Sequence, residues 1–304
     1  MNINRKQATA IGCLAIFLWS TLALFTTQAN SVPPMLLLTI TFSVASVLFL
    51  GVYLLKGEVK SSWKKTPLKT VMTGGLSFFF YHYLYFYAFQ NAPPVEAGLI
   101  AYLWPLLIVL MVGFTKGNHL LWTHLIGATI AFIGTGIMLY SKEGATDVGY
   151  EETFHWTGYA AAFACAFIWS GYSVSNRKHQ DVPSSAVLWY CLITALLAAI
   201  FYIFTEAQES SFSVKSINFD TWVAIIGLGL GPVGIAFFCW DLGVKKGNLS
   251  LLGVLAYTTP AISTIWLALF TSLQLSKGQW IACSMITLGA LFASLATSKK
   301  APKA

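Results

Sequence analysis

The chain has 304 residues, of which 57% are hydrophobic and 10% charged, with a mean hydropathy of +0.69. That balance excludes an ordinary soluble domain, in which about 25% of residues carry charge, and makes lipid part of the solvent. A net charge of +7 alone would suit nucleic acid, but the placement of the cations described below points to a membrane and to no nucleic acid.

Crossing a hydrocarbon core of about 30 Å takes roughly 20 apolar residues at about 1.5 Å each. Ten segments meet that length: 8–29, 35–55, 70–90, 95–114 and 120–140, then 156–175, 184–205, 221–242, 249–270 and 278–296. Short connections rich in Pro or Gly separate them, among them Val32-Pro33-Pro34, Ala92-Pro93-Pro94, Lys116-Gly117-Asn118 and Lys246-Gly247-Asn248. The longest connection, 141–155, joins two sets of five. Arg5 and Lys6 precede the first apolar run, yet no A-x-A-like site ends it, so it reads as a span and not as a cleaved leader.

Membrane insertion keeps Lys and Arg on the cytoplasmic side. Threaded through ten spans, one side holds Arg5, Lys6, Lys56, Lys60, Lys64, Lys65, Lys69, Lys116, Arg177, Lys178, Lys245, Lys246, Lys299, Lys300 and Lys303, and the other only Lys142, Lys215 and Lys277. Acidic residues such as Glu143, Asp147, Glu151 and Glu206 mark that second side. Both termini are therefore expected in the cytoplasm of a multi-pass membrane protein.

The chain repeats. Trp19-Ser20 aligns with Trp169-Ser170, and Val32-Pro33 with Val182-Pro183, at one common shift. Gly98, Ala101, Tyr102 and Pro105 align with Gly253, Ala256, Tyr257 and Pro260 at a slightly larger shift, which also pairs Gly134 with Gly289. The expected units are 1–147 and 148–304. An odd number of spans per unit inverts the second copy in the membrane. Inverted repeats characterise secondary transporters, whose substrate sits near the midplane between the halves and whose halves rock to give alternating access. The expected fold is all-α, two inverted five-helix repeats around a central cavity.

Pro105 and Pro260 lie inside apolar spans, where each removes a backbone donor and kinks the helix. A broken helix is tolerated in lipid only where protein or water satisfies the freed groups, which directs both prolines, with Tyr257, toward the cavity. Rings crowd the third and fourth spans, and Tyr81, Tyr85, Tyr102 and Trp104 fall mid-span, away from the headgroup levels that aromatic belts occupy. Tyr81 and Tyr85 share one helical face. Such rings suit a flat amphipathic ligand and attract an ammonium over their faces, although helix packing alone also uses Phe and Tyr.

No Lys or Arg lies mid-span, which disfavours phosphate-bearing substrates; Glu96 and Asp241 sit near span ends, where snorkelling to the interface is expected. His82 is the one well-embedded histidine and a candidate for proton coupling. Gly227-Leu228-Gly229-Leu230-Gly231-Pro232 lacks both the spacing and the strand of a nucleotide loop, and its small residues favour close helix approach. The five cysteines fall inside spans without CxxC spacing, as packing residues do. Neither a catalytic set nor a metal or cofactor site is expected, so the chain is read as no enzyme.

With the repeat, the run Glu96-Ala97-Gly98-Leu99-Ile100-Ala101-Tyr102-Leu103-Trp104-Pro105 resembles the drug/metabolite transporter superfamily in its ten-span EamA branch. Tyr102-Leu103-Trp104-Pro105 looks like the fourth-span signature of the bacterial aromatic amino acid exporters of YddG type. The resemblance implies an inner-membrane exporter of Trp, Phe or Tyr. Tyr102, Trp104 and Pro105 match the motif, and Tyr81, Tyr85 and Trp169 match cavity-lining aromatic positions. The second half carries Tyr257-Thr258-Thr259-Pro260, so the aromatic pair occurs in one half and the expected pocket is asymmetric. Export of another metabolite or a cationic drug through the same cavity stays open, and a non-transporting sensor is the weaker reading.

Overall fold

A computed structural model describes residues 3–29, 31–92, 94–115, 122–142, 155–209, 212–270 and 276–298. Among them all regular structure is helical. The first half comprises α1 Arg5–Ser20, α2 Leu22–Gln28, α3 Pro34–Leu55, α4 Val59–Lys65, α5 Leu68–Asn91, α6 Pro94–Ala101, α7 Trp104–Gly113 and α8 Trp122–Lys142. The second comprises α9 Trp156–Asn176, α10 Ala186–Phe204, α11 Glu206–Glu209, α12 Phe219–Leu228, α13 Ala236–Lys246, α14 Leu249–Ala256, α15 Thr258–Phe270 and α16 Lys277–Ser298. A 3-10 turn, Val214–Ser216, precedes α12, and a π-helical stretch, Gly229–Ile235, joins α12 to α13. The expected junction at 147–148, the Lys116-Gly117-Asn118 turn and the Glu96 side chain lie outside the described residues.

Each expected span falls on one helix or on a broken pair. Four helical stretches, Arg5–Thr26, Pro34–Leu55, Ala186–Gln208 and Phe219–Lys246, are by length and composition apolar enough to cross a bilayer. The exterior is apolar where water would demand polarity: Val47 is 68% exposed, Leu196 56% and Leu288 63%. A soluble monomer rarely offers large contiguous apolar patches; a lipid-facing helix must. Several hydroxyls inside the spans are satisfied locally, with Thr41, Ser46, Thr135 and Thr194 each donating to the carbonyl four residues earlier.

The breaks have identifiable causes. Pro105 does not kink a continuous helix as the sequence suggested. The helix ends at Ala101 and restarts at Trp104 with Pro105 in its first turn, where the missing N–H is one that the helix start would leave unpaired anyway. The counterpart break falls at Tyr257, between α14 and α15, with Pro260 in the first turn of α15. Pro232 sits inside the π-helical stretch, where the wider coil takes up the lost donor.

Helix packing follows the sequence repeat. α8 packs on α16 and α3 on α10, each a helix against its own counterpart, and α7 packs on α14, the second piece of one broken span against the first piece of the other. Further large contacts come in matched couples, α1 on α13 with α5 on α9, and α5 on α10 with α3 on the π-helical stretch. Glycines set the closest approaches. A Cβ on Gly243 of α13 would lie 2.7 Å from the Gly12 Cα of α1, and backbone cannot move aside as a side-chain tip can. Gly243→Ala is accordingly expected to cost about 1–3 kcal/mol, read as a lowered unfolding midpoint in detergent. Gly51→Ala, whose Cβ would meet nothing within 4 Å, serves as the control and should hold or raise the midpoint. The halves are also tied by Glu206, whose two carboxylate oxygens accept the Met35 amide at 3.0 and 2.9 Å at the start of α3, the end of a helix that favours an anion.

Candidate substrate site

The interior is built of rings. Trp19 of α1, Trp104 of α7, Trp169 of α9 and Trp240 of α13 meet in a tetrad in which every pair is in contact, with centroids 5.0 to 6.4 Å apart. Two members come from each half. Edge-on pairs dominate, as the ring quadrupole favours: Trp19 meets Trp104 at 87° and Trp104 meets Trp240 at 86°. Hydrogen bonds hold the indoles. Trp19 Nε1–H donates to the Pro232 carbonyl at 3.0 Å, and Trp240 Nε1–H to Ser173 Oγ at 3.1 Å. Ser170 Oγ lies 2.9 Å from the Trp104 carbonyl, which stands at the helix restart. Its repeat counterpart Ser20 accepts Trp266 Nε1–H at 3.0 Å, so both halves use the same serine to hold a broken neighbour.

Above the tetrad lies an aromatic face. Tyr81 contacts Trp169 at 5.1 Å and Tyr85 at 6.3 Å, and Tyr85 contacts Phe89 at 4.5 Å. Tyr102 completes the group within electrostatic reach of both tyrosines. These three tyrosines stay half-buried while Trp104 and Trp169 are 7% and 2% exposed. Tyr85 and Phe89 rest on a patch of small side chains, Ala88, Ala97, Ala101, Ala161 and Ala162. The arrangement offers an open aromatic face over a closed indole floor.

The structure thus brings Tyr81, Tyr85, Tyr102, Trp104 and Trp169 together, with Pro105 beginning the helix that carries Trp104. His82 belongs to the same wall, against Phe42 at 5.1 Å and Phe237 at 6.0 Å. Its Nδ1 lies 2.7 Å from the Phe78 carbonyl; a carbonyl only accepts, so Nδ1 carries the proton. Tyr257 and Pro260 stand apart from the rings. Tyr257 is fully buried in a separate cluster, and its hydroxyl accepts the Leu106 amide at 3.2 Å, satisfying an N–H in the first turn of α7. One helix break is thereby fastened to the other.

Asp241 departs from the sequence reading. It does not snorkel; it is 0% exposed, 2.9 Å from Lys245 Nζ, which is 1% exposed in its side chain. Asn176 Nδ2 donates to the other carboxylate oxygen at 2.7 Å, and Lys245 also donates to the Val182 carbonyl at 3.0 Å. A pair four residues apart on α13 neutralises itself before it reaches the interface, so neither group needs water. Arg177, just past α9, donates to the Gly247 carbonyl at 3.0 Å beyond the end of α13; burial, and secondarily Arg5, draws its pKa down.

Trp19, Phe237 and Trp240 were not singled out from the sequence as site residues. Trp19 carried a usable signal, because it is the repeat counterpart of Trp169. Trp240 and Phe237 carried none, being ordinary apolar residues of their span.

The sequence profile of the EamA-like transporter family matches the chain twice, over 7–140 and 156–295. The chain belongs to that family. Two matched copies agree with the repeat read from the sequence. Among EamA-related proteins, the aromatic amino acid exporter YddG of Ancylobacter novellus is 42% identical over 294 residues, 96% of this chain and 99% of that protein. The protein of the same name from Escherichia coli (strain K12) is 26% identical over 98% of this chain and 100% of its own length. A biotin transporter of the same E. coli strain is 26% identical over 62% of each chain. A solved structure, described as a crystal structure of protein, superposes with a TM-score of 0.86 at 41% identity, covering 96% of this chain and 99% of its own.

Proposed function

We propose that this EamA-family chain is a secondary exporter of aromatic amino acids. The observation that carries the reading is the 42% identity, over nearly the whole length of both chains, to a protein named as such an exporter. The ring-built interior supports it, since an aromatic side chain finds stacking partners in Tyr81, Tyr85, Tyr102 and Trp104 and meets no fixed charge there. In this reading ten spans form two inverted units, 1–147 and 148–304, around a central cavity, with both termini in the cytoplasm of an inner membrane. The fifteen cations on one side and three on the other support that orientation.

The helix breaks at Tyr102 and Tyr257 support movement by rocking. A pair of broken helices fastened by one hydroxyl lets each half swing about the contact while the indole floor closes one side. Tyr81, Tyr85, Tyr102, Trp104, Pro105 and Trp169 form the substrate face, Tyr257 and Pro260 the hinge. His82 Nε2, which has no hydrogen-bond partner among the described residues, is the atom that accepts a proton for coupling in the tautomer its Nδ1 contact selects. The sequence carries no nucleotide-binding motif, so energy comes from the substrate gradient or from protons.

Uptake of radiolabelled L-Trp and L-Phe into proteoliposomes of the purified protein tests the reading. Saturable uptake of both, competed by L-Tyr but not by L-Ala, is expected. Inserted protein that carries no aromatic amino acid would overturn it. The partial likeness to biotin transporters favours biotin as the first alternative cargo in the same assay.

A further inference from the structure

A cavity of about 200 Å³ lies beside the ring cluster, between the start of α5, the end of α9 and Tyr190 of α10, with Tyr172 of its wall 5.4 Å from Trp169. A water needs on the order of 10–15 Å³ of such space, so the cavity has room for a small organic group. Its walls carry polar side chains on a largely apolar surface, among them Thr70 and Ser77 from α5, Tyr172 and Asn176 from α9, and His179 just beyond it. Two features point to a ligand. Tyr190 is 0% exposed, and its hydroxyl has no hydrogen-bond partner among the described residues although it lines this space. A buried hydroxyl left unpaired costs about 1–3 kcal/mol, which a bound partner would recover. Gly171 lines the same space, and a Cβ there would meet nothing within 4 Å.

The charge pattern selects the ligand. α5 presents its N-terminal end to the cavity through Thr70, and α9 its C-terminal end through Asn176, so the two sides carry opposite partial charge. Behind Asn176 stands the Asp241–Lys245 pair, which adds no net charge. A lone cation or anion would find one favourable and one unfavourable side. A zwitterion satisfies both. Tyr172 accepts from Asn176 at 3.3 Å and so belongs to the α9 side, while Tyr190, whose ring lies against Gly74 of α5, supplies the hydroxyl donor for a carboxylate.

We propose that this cavity is a second station, at the cation-rich end of the molecule, that binds the ammonium–carboxylate head of an amino acid before its side chain reaches the rings. The inference rests on the amino acid cargo proposed above. The carboxylate lies toward α5 and the Tyr190 hydroxyl, the ammonium toward the end of α9.

The test compares purified wild-type protein with Tyr190→Phe, which deletes only the unpaired hydroxyl, and Gly171→Leu, which fills the open space. Thermal stabilisation by L-Trp, tryptamine and indole-3-propionate is measured alongside L-Trp uptake. In the wild type, L-Trp stabilises and the amine and acid do so about tenfold less effectively. Tyr190→Phe should weaken L-Trp about tenfold, as expected for one hydrogen bond to a charged group, and leave indole-3-propionate and tryptamine closer to L-Trp. Gly171→Leu should abolish uptake without lowering the unfolding midpoint. If both variants match the wild type, or Tyr190→Phe keeps full discrimination, the station is disproved while the exporter reading stands. If L-Trp is not carried but other zwitterions stabilise the wild type and fail on both variants, the station stands and the aromatic cargo falls.

Discussion

Replacing Trp104 by alanine is expected to lower L-Trp uptake at least tenfold and to destabilise the protein by about 3–5 kcal/mol, the usual cost of emptying a buried Trp site. The tetrad is why both effects are large. Trp104 touches Trp19, Trp169 and Trp240 at 6.3, 6.4 and 5.7 Å, and each aromatic pair contributes about 0.5–1.5 kcal/mol beyond area burial. Removing the indole opens the floor beneath Tyr81, Tyr85 and Tyr102. Stability and transport must then be separated, and Trp104→Phe does so. It keeps a ring at the crossing and should recover at least half of the lost midpoint, while uptake of L-Trp stays several-fold below wild type because the floor is no longer closed. Uptake in proteoliposomes and unfolding in detergent, read on the same preparations, check both. A Trp104→Ala protein that inserts and carries L-Trp at the wild-type rate would remove the tetrad from the transport path.

Breaking the Asp241–Lys245 pair is the second large effect. Lys245→Met leaves a carboxylate with 0% exposure and, among the described residues, the Asn176 amide to satisfy it, and Asp241→Asn leaves a buried ammonium. Loss of one partner of a buried pair costs about 3–5 kcal/mol, or roughly a 10 °C drop in Tm at about 2–4 °C per kcal/mol. The double variant Asp241→Asn with Lys245→Met removes both charges and should regain most of that drop, since replacing a buried pair by neutral groups is often close to energetically neutral. A double variant whose loss equals the sum of the two single losses would mean that the two groups are not coupled and that each is held by separate contacts. The hydrogen bond from Lys245 to the Val182 carbonyl supplies such a contact for the lysine, so the cycle is informative in both directions.

Much of the fold could be read from composition and spacing. Segment length and hydropathy located the helices, because a chain in lipid must satisfy its backbone within each segment. The shared offset of Trp19-Ser20 with Trp169-Ser170 and of Tyr102 and Pro105 with Tyr257 and Pro260 revealed two copies, and the family profile matches the same two stretches. Tyr81, Tyr85, Tyr102 and Trp104 could be singled out because polar-edged rings in mid-span require partners.

What the sequence left undecided depended on which helix lies beside which. Asp241 near a span end reads as a snorkelling group until its neighbour four residues on is seen to be buried with it. Pro105 reads as a kink until the chain is seen to restart a helix one residue before it. Trp240 and Phe237 are unremarkable in their own span and become part of the ring core only because α13 packs on α1, a contact that the glycines at 12 and 243 permit. Local periodicity and solvent preference are properties of a segment and are written in its residues. Cross-chain contacts depend on how the segments are brought together, and those tertiary contacts alone decided the tetrad, the buried ion pair and the unpaired hydroxyl of Tyr190.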